Sequence, residues 1–270
     1  MPELPEIETM QRSLSPRLKG KRVTNVIFRR GNLRWPFPLD LEKHIKNQPI
    51  IDVTRRSKYL LINFNSGTLI IHLGMSGSLR WVNKEDPVQK HDHFDLVIED
   101  NHAVRLNDPR RFGAVLWQPG KLPHKVLQDL GPEPLPKNFQ GTTLYQRLQS
   151  KKTPIKVALM DPRVVVGVGN IYATEALFRA RIDPRKPAQN LTKEECNTLV
   201  QEVKYVLKKG IEMGGSTLRN FHGIEGQVGT FASNSLAYGK TGQPCPICQT
   251  LFSSINLGGR ATTFCAHCQT

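Results

Sequence analysis

The sequence contains no apolar run approaching the ~20 residues that a membrane-spanning helix requires. Its start lacks the basic stretch followed by an apolar stretch that marks a secretory signal. Acidic residues are few: 23 Asp and Glu stand against 38 Lys and Arg, a formal net charge of +15. Cysteine is also scarce, with five in 270 residues, and neither an internal repeat nor a low-complexity tail is visible. The expectation is a cytoplasmic protein, a compartment where disulfides are rare. The basic excess favours a polyanionic partner, and nucleic acid before a membrane surface. Hydrophobic residues make up 38% of the chain, enough for the cores of one large or two to three modest domains.

Four of the five cysteines form one pattern. Cys245 and Cys248, then Cys265 and Cys268, make two C-x2-C knuckles separated by sixteen residues. This spacing predicts a tetrahedral four-thiolate zinc site with no open coordination position, and so a structural metal. The segment between the knuckles is long enough for a short hairpin. Cys196 instead shares a helical face with Leu199, Val200, Val203 and Leu207 and reads as a buried core thiol.

Hydrophobic periodicity separates the chain into modules. Ile7, Met10, Leu14 and Leu18 recur at helical spacing, predicting a helix over residues 5–18. Seven short β-type runs follow, at 22–28, 50–54, 59–64, 68–73, 94–99, 103–106 and 114–117, punctuated by Gly, Asn and Asp. Strands at such spacing suggest a sandwich or barrel. The run Gly131-Pro132-Glu133-Pro134-Leu135-Pro136 breaks the pattern and reads as a linker. Beyond it the pattern is helical. Thr192-Lys193-Glu194-Glu195 predicts a capping box opening a helix that Gly214-Gly215 closes. Gly167-Val168-Gly169-Asn170 is either an ordinary helix–helix turn or a helix start whose amides grip a phosphate. Residues 216–237 carry Gly223, Gly226 and Gly229 without periodicity and read as a mobile loop. The expected modules are 1–131, 138–237 and 238–270, in an α+β multidomain fold.

The start, Met1-Pro2-Glu3-Leu4-Pro5-Glu6, admits two readings. One is a Pro-rich lead-in to a helix, with acids favoured by the helix dipole. The other is chemical. Initiator Met is usually trimmed before a small residue, which would leave Pro2 with a free secondary amine titrating near pH ~8. Such an amine, attacking an aldehyde-level carbon, forms an iminium that cannot lose its charge at nitrogen, and so an electron sink for eliminations. Glu3 lies close enough to move protons at the same centre.

Several segments taken together resemble one family. They are the Pro-Glu-Leu-Pro-Glu start, Arg55-Arg56-Ser57-Lys58-Tyr59-Leu60-Leu61, His72-Leu73-Gly74-Met75-Ser76-Gly77, Asp108-Pro109-Arg110-Arg111-Phe112-Gly113, Gly167-Val168-Gly169-Asn170-Ile171-Tyr172 and the terminal knuckles with Gly259-Arg260. They occur in the order found in bacterial formamidopyrimidine-DNA glycosylases, from residue 2 to residue 268. The resemblance implies an N-terminal helix leading into a β-sandwich, a helical domain with a helix–two-turn–helix, and a C-terminal zinc finger. It implies a monomeric, nucleoid-associated enzyme that excises 8-oxoguanine and formamidopyrimidines from double-stranded DNA and then cleaves the strand at the abasic site.

Roles follow from the same match. Pro2 is the nucleophile and Glu3 the acid/base, with Glu6 supporting them. Lys58 assists β-elimination, and Arg260 grips the phosphate beside the lesion and assists the second elimination. Met75, Arg110 and Phe112 fill the hole left when the damaged nucleotide is extruded; for Met75 and Phe112 the competing reading is core packing. His72, His91, Lys151, Lys156 and Asn170 are further DNA contacts, with Lys156 on the lesion-binding side. In the loop, Arg219, Asn220 and Val228 stand where better-known members carry Lys, Asp and Pro, which bears on lesion preference. Two other functions compete. Endonuclease VIII-like glycosylases, which prefer oxidised pyrimidines, typically open Pro-Glu-Gly-Pro-Glu, whereas this chain has Leu4. A non-catalytic zinc-module DNA binder would not need Pro2 or Glu3.

Overall fold

In the computed structural model, which describes residues 1–216 and 223–270, the stripe Ile7, Met10, Leu14 and Leu18 becomes the buried face of a helix, Leu4–Leu18 (α1). Burial of each such side chain is worth about 1.5–3 kcal/mol. Glu3 is the N-cap and Glu6 the third helical residue of a capping box, with Pro5 in the first turn, where its missing N–H costs nothing.

The first of two compact units, Met1–Gln128 with Gly214–Gly229, is built on two four-stranded antiparallel sheets. Val23–Phe28 (β1), Asp52–Arg56 (β2), Tyr59–Phe64 (β3), Gly67–His72 (β4), Ser78–Asn83 (β5), Asp92–Ile98 (β6), His102–Asn107 (β7) and Ala114–Pro119 (β8) supply the strands. A short helix, Leu41–Ile45 (α2), lies between β1 and β2. The sheet orders are β1-β6-β7-β5 and β2-β3-β4-β8. One apolar core takes Leu60, Ile62, Leu69 and Ile71 from one sheet, Phe94, Leu96, Val104 and Leu106 from the other, and the stripe of α1. The two sheets therefore form a sandwich. The seven expected strands are present within two residues at each end, and β5 is an eighth. Its burial alternates weakly, because Arg80 and Trp81 are only half-buried on an edge strand, which blurs the period-two signal. Ile224 also enters this core, and its carbonyl accepts the Trp81 amide at 2.9 Å, so residues beyond Gly214-Gly215 pack against the sandwich.

The second unit is Asp129–Met213 with Thr230–Thr270. After Lys125–Gln128 (α3), which ends the first unit, come Gly141–Leu148 (α4), Ile155–Leu159 (α5), Asn170–Arg179 (α6) and Lys193–Glu212 (α7). Thr192 caps α7 as expected: its side chain accepts the Glu195 amide at 3.1 Å, and the Glu195 carboxylate accepts the Thr192 amide at 2.8 Å. Gly214 and Gly215 follow at φ +73° and +89°, a conformation open to glycine at little cost. Cys196 is buried on α7, and burial pushes its thiol up to about 11. Ser253–Leu257 (β9) and Arg260–Phe264 (β10) form the hairpin between the knuckles, turning through Gly258 and Gly259 at φ +56° and +73°. Among the described residues no helix is long and apolar enough to cross a membrane. Leu218, Arg219, Asn220, Phe221 and His222 of the predicted loop lie outside the described residues.

Candidate active site and nucleic-acid-binding residues

At the start of α1, Pro2 and Glu3 are buried, and Glu6 is 1% exposed. Burial of an acid demands donors, and Glu6 has them. Its Oε2 accepts the Glu3 amide at 2.7 Å, while Oε1 accepts the Ser216 amide at 2.6 Å and the Ser216 hydroxyl at 2.9 Å. Glu6 therefore fixes the turn that carries Glu3 and ties it to the segment after the Gly pair. Gly215 must be glycine there: a Cβ would lie 2.9 Å from Glu6 Oε1. Met1, which precedes Pro2 and Glu3, is exposed.

One helical turn on, Glu8 accepts from Arg55 Nε at 2.8 Å, and Arg55 Nη1 donates to the Ser57 carbonyl at 2.9 Å. This bridge joins α1 to the two-residue turn between β2 and β3, where Ser57 is held at φ +57° beside Lys58. Tyr59 pairs with His72 across β3 and β4, and their rings lie 4.8 Å apart. His72 Nδ1 accepts the Gly74 amide at 3.1 Å, which leaves Nε2–H as its donor. Burial, with the positive charges of Lys58 and Arg34, lowers His72 to about 4. It is thus a neutral donor at neutral pH.

This shift has a testable sign. The folded pKa is depressed below the ordinary ~6.5, so the unfolded chain binds the extra proton between those values and stability falls as pH drops from ~6.5 to ~4. The full contribution is about 3 kcal/mol. Denaturant unfolding across this range should show the natural chain losing more stability than His72→Gln, which keeps an acceptor for Gly74; identical slopes would refute the assignment.

Asp108 organises the next loops. Its side chain, fully buried, accepts the Ser76 hydroxyl at 2.9 Å and the Gly113 amide at 2.8 Å, and its own amide donates to the His91 carbonyl. Ser76 Oγ in turn accepts the Arg110 amide at 3.2 Å. Gly74 lies so close to Phe112 that a Cβ would meet the Phe112 carbonyl carbon at 2.3 Å. The loops bearing Met75 and Phe112 are therefore packed together, yet their side chains are 36% and 45% exposed, and the Arg110 guanidinium sits 4.8 Å over the Phe112 ring. Core packing is excluded for both apolar residues. Lys58, His72, Met75, His91, Arg110 and Phe112 thus gather at connected loops of the sandwich. Sequence reasoning assigned no role to Asp108, Arg55 or Ser216, although Asp108 and Arg55 stand inside motifs already singled out.

In the second unit, Asn170 opens α6, and its Nδ2 donates to the Ala261 carbonyl of β10 at 3.2 Å. Lys156 on α5 is fully buried, its ammonium donating to the same carbonyl at 3.1 Å and to Thr262 Oγ1 at 2.7 Å. Arg260, the first residue of β10, is exposed. Lys151 pairs with Asp161 at 3.1 Å; burial raises the Asp161 carboxyl, but hydrogen bonds from Arg163 and Lys151 outweigh it and hold it at about 2.

The four knuckle sulfurs all lie within 4.8 Å of one another, with Cys245 to Cys268 at 3.9 Å and Cys248 to Cys265 at 3.5 Å. Zinc–sulfur bonds of ~2.3 Å in a tetrahedron put sulfurs ~3.8 Å apart, so the donor set fits one zinc ion. Hydrogen bonding from Thr250 lowers Cys248 to about 6, whereas burial and the neighbouring sulfurs push Cys268 up to about 12. A central cation is what allows four adjacent sulfurs to ionise together.

Three family models cover most of this chain: the formamidopyrimidine-DNA glycosylase N-terminal domain over residues 1–115, its H2TH domain over 130–222, and the zinc finger found in FPG and IleRS over 242–270. The chain is 50% identical over 269 residues, all of both chains, to formamidopyrimidine-DNA glycosylases of Photorhabdus laumondii and of Pseudomonas syringae pv. tomato. The chain belongs to the formamidopyrimidine-DNA glycosylase family. Among solved structures of this family, MutM (FPG) from Thermus thermophilus matches with a TM-score of 0.89 and 36% identity, over 99% of this chain and 98% of that one. The Lactococcus lactis FPG mutant G226P, in a complex with Fapy-dG-containing DNA, matches with a TM-score of 0.92 and 31% identity over both chains entire. The α+β fold expected from the resemblance, with its sandwich, helical H2TH region and terminal zinc finger, is the fold of this glycosylase family, and the four cysteines form its structural zinc site.

Proposed function

We infer that this chain is a bifunctional DNA glycosylase and abasic-site lyase of base excision repair, acting on double-stranded DNA that carries formamidopyrimidines, 8-oxoguanine or abasic sites. The observation that carries this reading is full-length identity of 50% to named glycosylases in a chain whose α1 opens on buried Pro2 and Glu3, with Glu6 anchoring that turn.

The damaged nucleotide must leave the stack before its sugar carbon is reachable. Exposed Met75 and Phe112, with Arg110 stacked on the ring, suit the vacated space: two apolar wedges, and a guanidinium able to bond the orphaned base. The Pro2 nitrogen attacks C1′ as the bond from C1′ to the base breaks, and Glu3 protonates the ring oxygen or the leaving base. Ring opening gives the iminium. Loss of a C2′ proton to Glu3 then expels the 3′ phosphate, with Lys58 assisting, and a second elimination expels the 5′ phosphate, with Arg260 holding it. A guanidinium suits that task because it is bidentate and always charged. Asn170, His72, His91 and Lys151 serve as further DNA contacts, whereas Lys156, fully buried against the zinc-finger hairpin, does not reach the duplex. Such contacts position the duplex without reading sequence, so affinity falls steeply with salt. The modules are 1–131, 138–237 and 238–270, and the enzyme works as a monomer in the cytoplasm, associated with the nucleoid through DNA.

The names of the relatives favour oxidised purines over the pyrimidine lesions of endonuclease VIII-like enzymes. Parallel single-turnover excision from duplexes with 8-oxoguanine and with thymine glycol tests this. Release of 8-oxoguanine should be faster by at least tenfold; faster release of thymine glycol would place the chain on the pyrimidine side.

A further inference from the structure

Lys156 was expected to meet DNA on the lesion side, but a fully buried lysine needs a different account. An ammonium can only donate, and this one donates to two acceptors on one strand of the zinc-finger hairpin, the Ala261 carbonyl and Thr262 Oγ1. The Thr262 hydroxyl, itself fully buried, thereby accepts from Lys156 at 2.7 Å. Its one proton is left to donate, and it does so to the Arg260 carbonyl at 3.2 Å. A directional chain thus runs from the α5 ammonium through a β10 hydroxyl to the backbone of Arg260, whose side chain is exposed.

Two neighbours act on the same hairpin. Asn170 donates to the Ala261 carbonyl that Lys156 also uses. Val157, next to Lys156, packs against the turn so closely that a Cβ on Gly258 would lie 3.2 Å from its Cγ2. A two-stranded hairpin is marginal by itself, and zinc holds only its flanks. The register and pitch of its tip therefore depend on these contacts.

We propose that Lys156 is a positioning residue for Arg260, holding the β9–β10 hairpin through Thr262 so that the exposed guanidinium meets the phosphate. This rests on the reading of Arg260 as the residue that assists the second elimination. A misplaced guanidinium, off by an ångström or so, costs one to two orders of magnitude in the step it serves, while the first elimination does not depend on it.

The test is the product ratio on abasic-site duplex: 3′ ends from one elimination against gaps from two, resolved on a sequencing gel, with zinc content and melting temperature measured beside it. Lys156→Met and Thr262→Val should each raise the ratio of single to double elimination by about tenfold or more. The double variant should be no worse than either alone, because both break one chain, and Thr262→Ser should restore the natural ratio. Arg260→Gln is the reference. If it leaves the ratio unchanged, the reading of Arg260 is wrong and the proposal falls with it. If it shifts the ratio while folded, zinc-loaded Thr262→Val does not, the proposal alone is overturned. Slower base excision by Lys156→Met with an unchanged ratio would likewise overturn it, in favour of direct lesion contact.

Discussion

Glu3→Gln should lower release of 8-oxoguanine by ~10²–10⁴-fold, the usual worth of a positioned acid/base, while leaving the affinity for damaged duplex within a few-fold of the natural chain. Glutamine matches the carboxylate in size and keeps an oxygen acceptor at the N-cap of α1. The anchor beneath it is unaffected, since the Glu3 backbone amide, not its side chain, donates to Glu6 at 2.7 Å. Only the proton-moving function is removed, with ~0.3–1 kcal/mol of helix-dipole stabilisation. Borohydride reduction during turnover adds the second half of the test. The natural chain should yield a covalent protein–DNA adduct whose attachment point maps to Pro2. Pro2→Gly and an acylated N-terminus should lose it, the latter completely, because an amide nitrogen is not a nucleophile. A mass measurement comes first, since retained Met1 would block the same atom. A non-catalytic DNA binder predicts no adduct under conditions that trap a control enzyme, and normal excision by an N-acylated preparation would remove the iminium route altogether.

The parts of this architecture that were legible in the chain are those specified locally. The α1 stripe, the Thr192 capping box, the Cys196 face and the doubled C-x2-C each lie within a few turns or one spacing rule, and the structure reproduces them. Residues whose role depends on a distant partner were not legible. Glu6 and Ser216 are 210 positions apart, and Lys156 and Thr262 are 106 apart, so nothing in their local sequence announces the bond. The same holds for Met75 and Phe112. Their composition by itself favoured core packing; Asp108 and Gly74 hold the two loops together, and both side chains stay exposed on them. Strand β5 was lost for a related reason, because an edge position relaxes the burial alternation on which strand recognition depends. Long-range hydrogen bonds and edge effects are thus the two places where pattern reading stops.

Removal of the metal should have the other large effect, confined to the second unit. The apolar cluster under the finger consists of Phe178, Ala237, Phe252, Cys245 and Cys265, so two of its five members are themselves ligands. A core this small cannot hold ~30 residues in place. Structural zinc supplies ~10–16 kcal/mol in isolated finger peptides, far more than the cluster can. Chelator-treated protein, with metal loss confirmed by elemental analysis, should therefore lose hydrogen-exchange protection across β9 and β10. Protection in α1 and the sandwich strands, whose core is separate, should persist. DNA affinity should drop, and the second elimination should be lost with it, because Arg260 sits on the hairpin that loses its frame. Thr262 and Lys156 can orient that hairpin only once the knuckles have brought it into being. Unchanged binding and cleavage after verified metal loss would mean that the hairpin is held by α5 and α6 alone, and that the four sulfurs are dispensable to function.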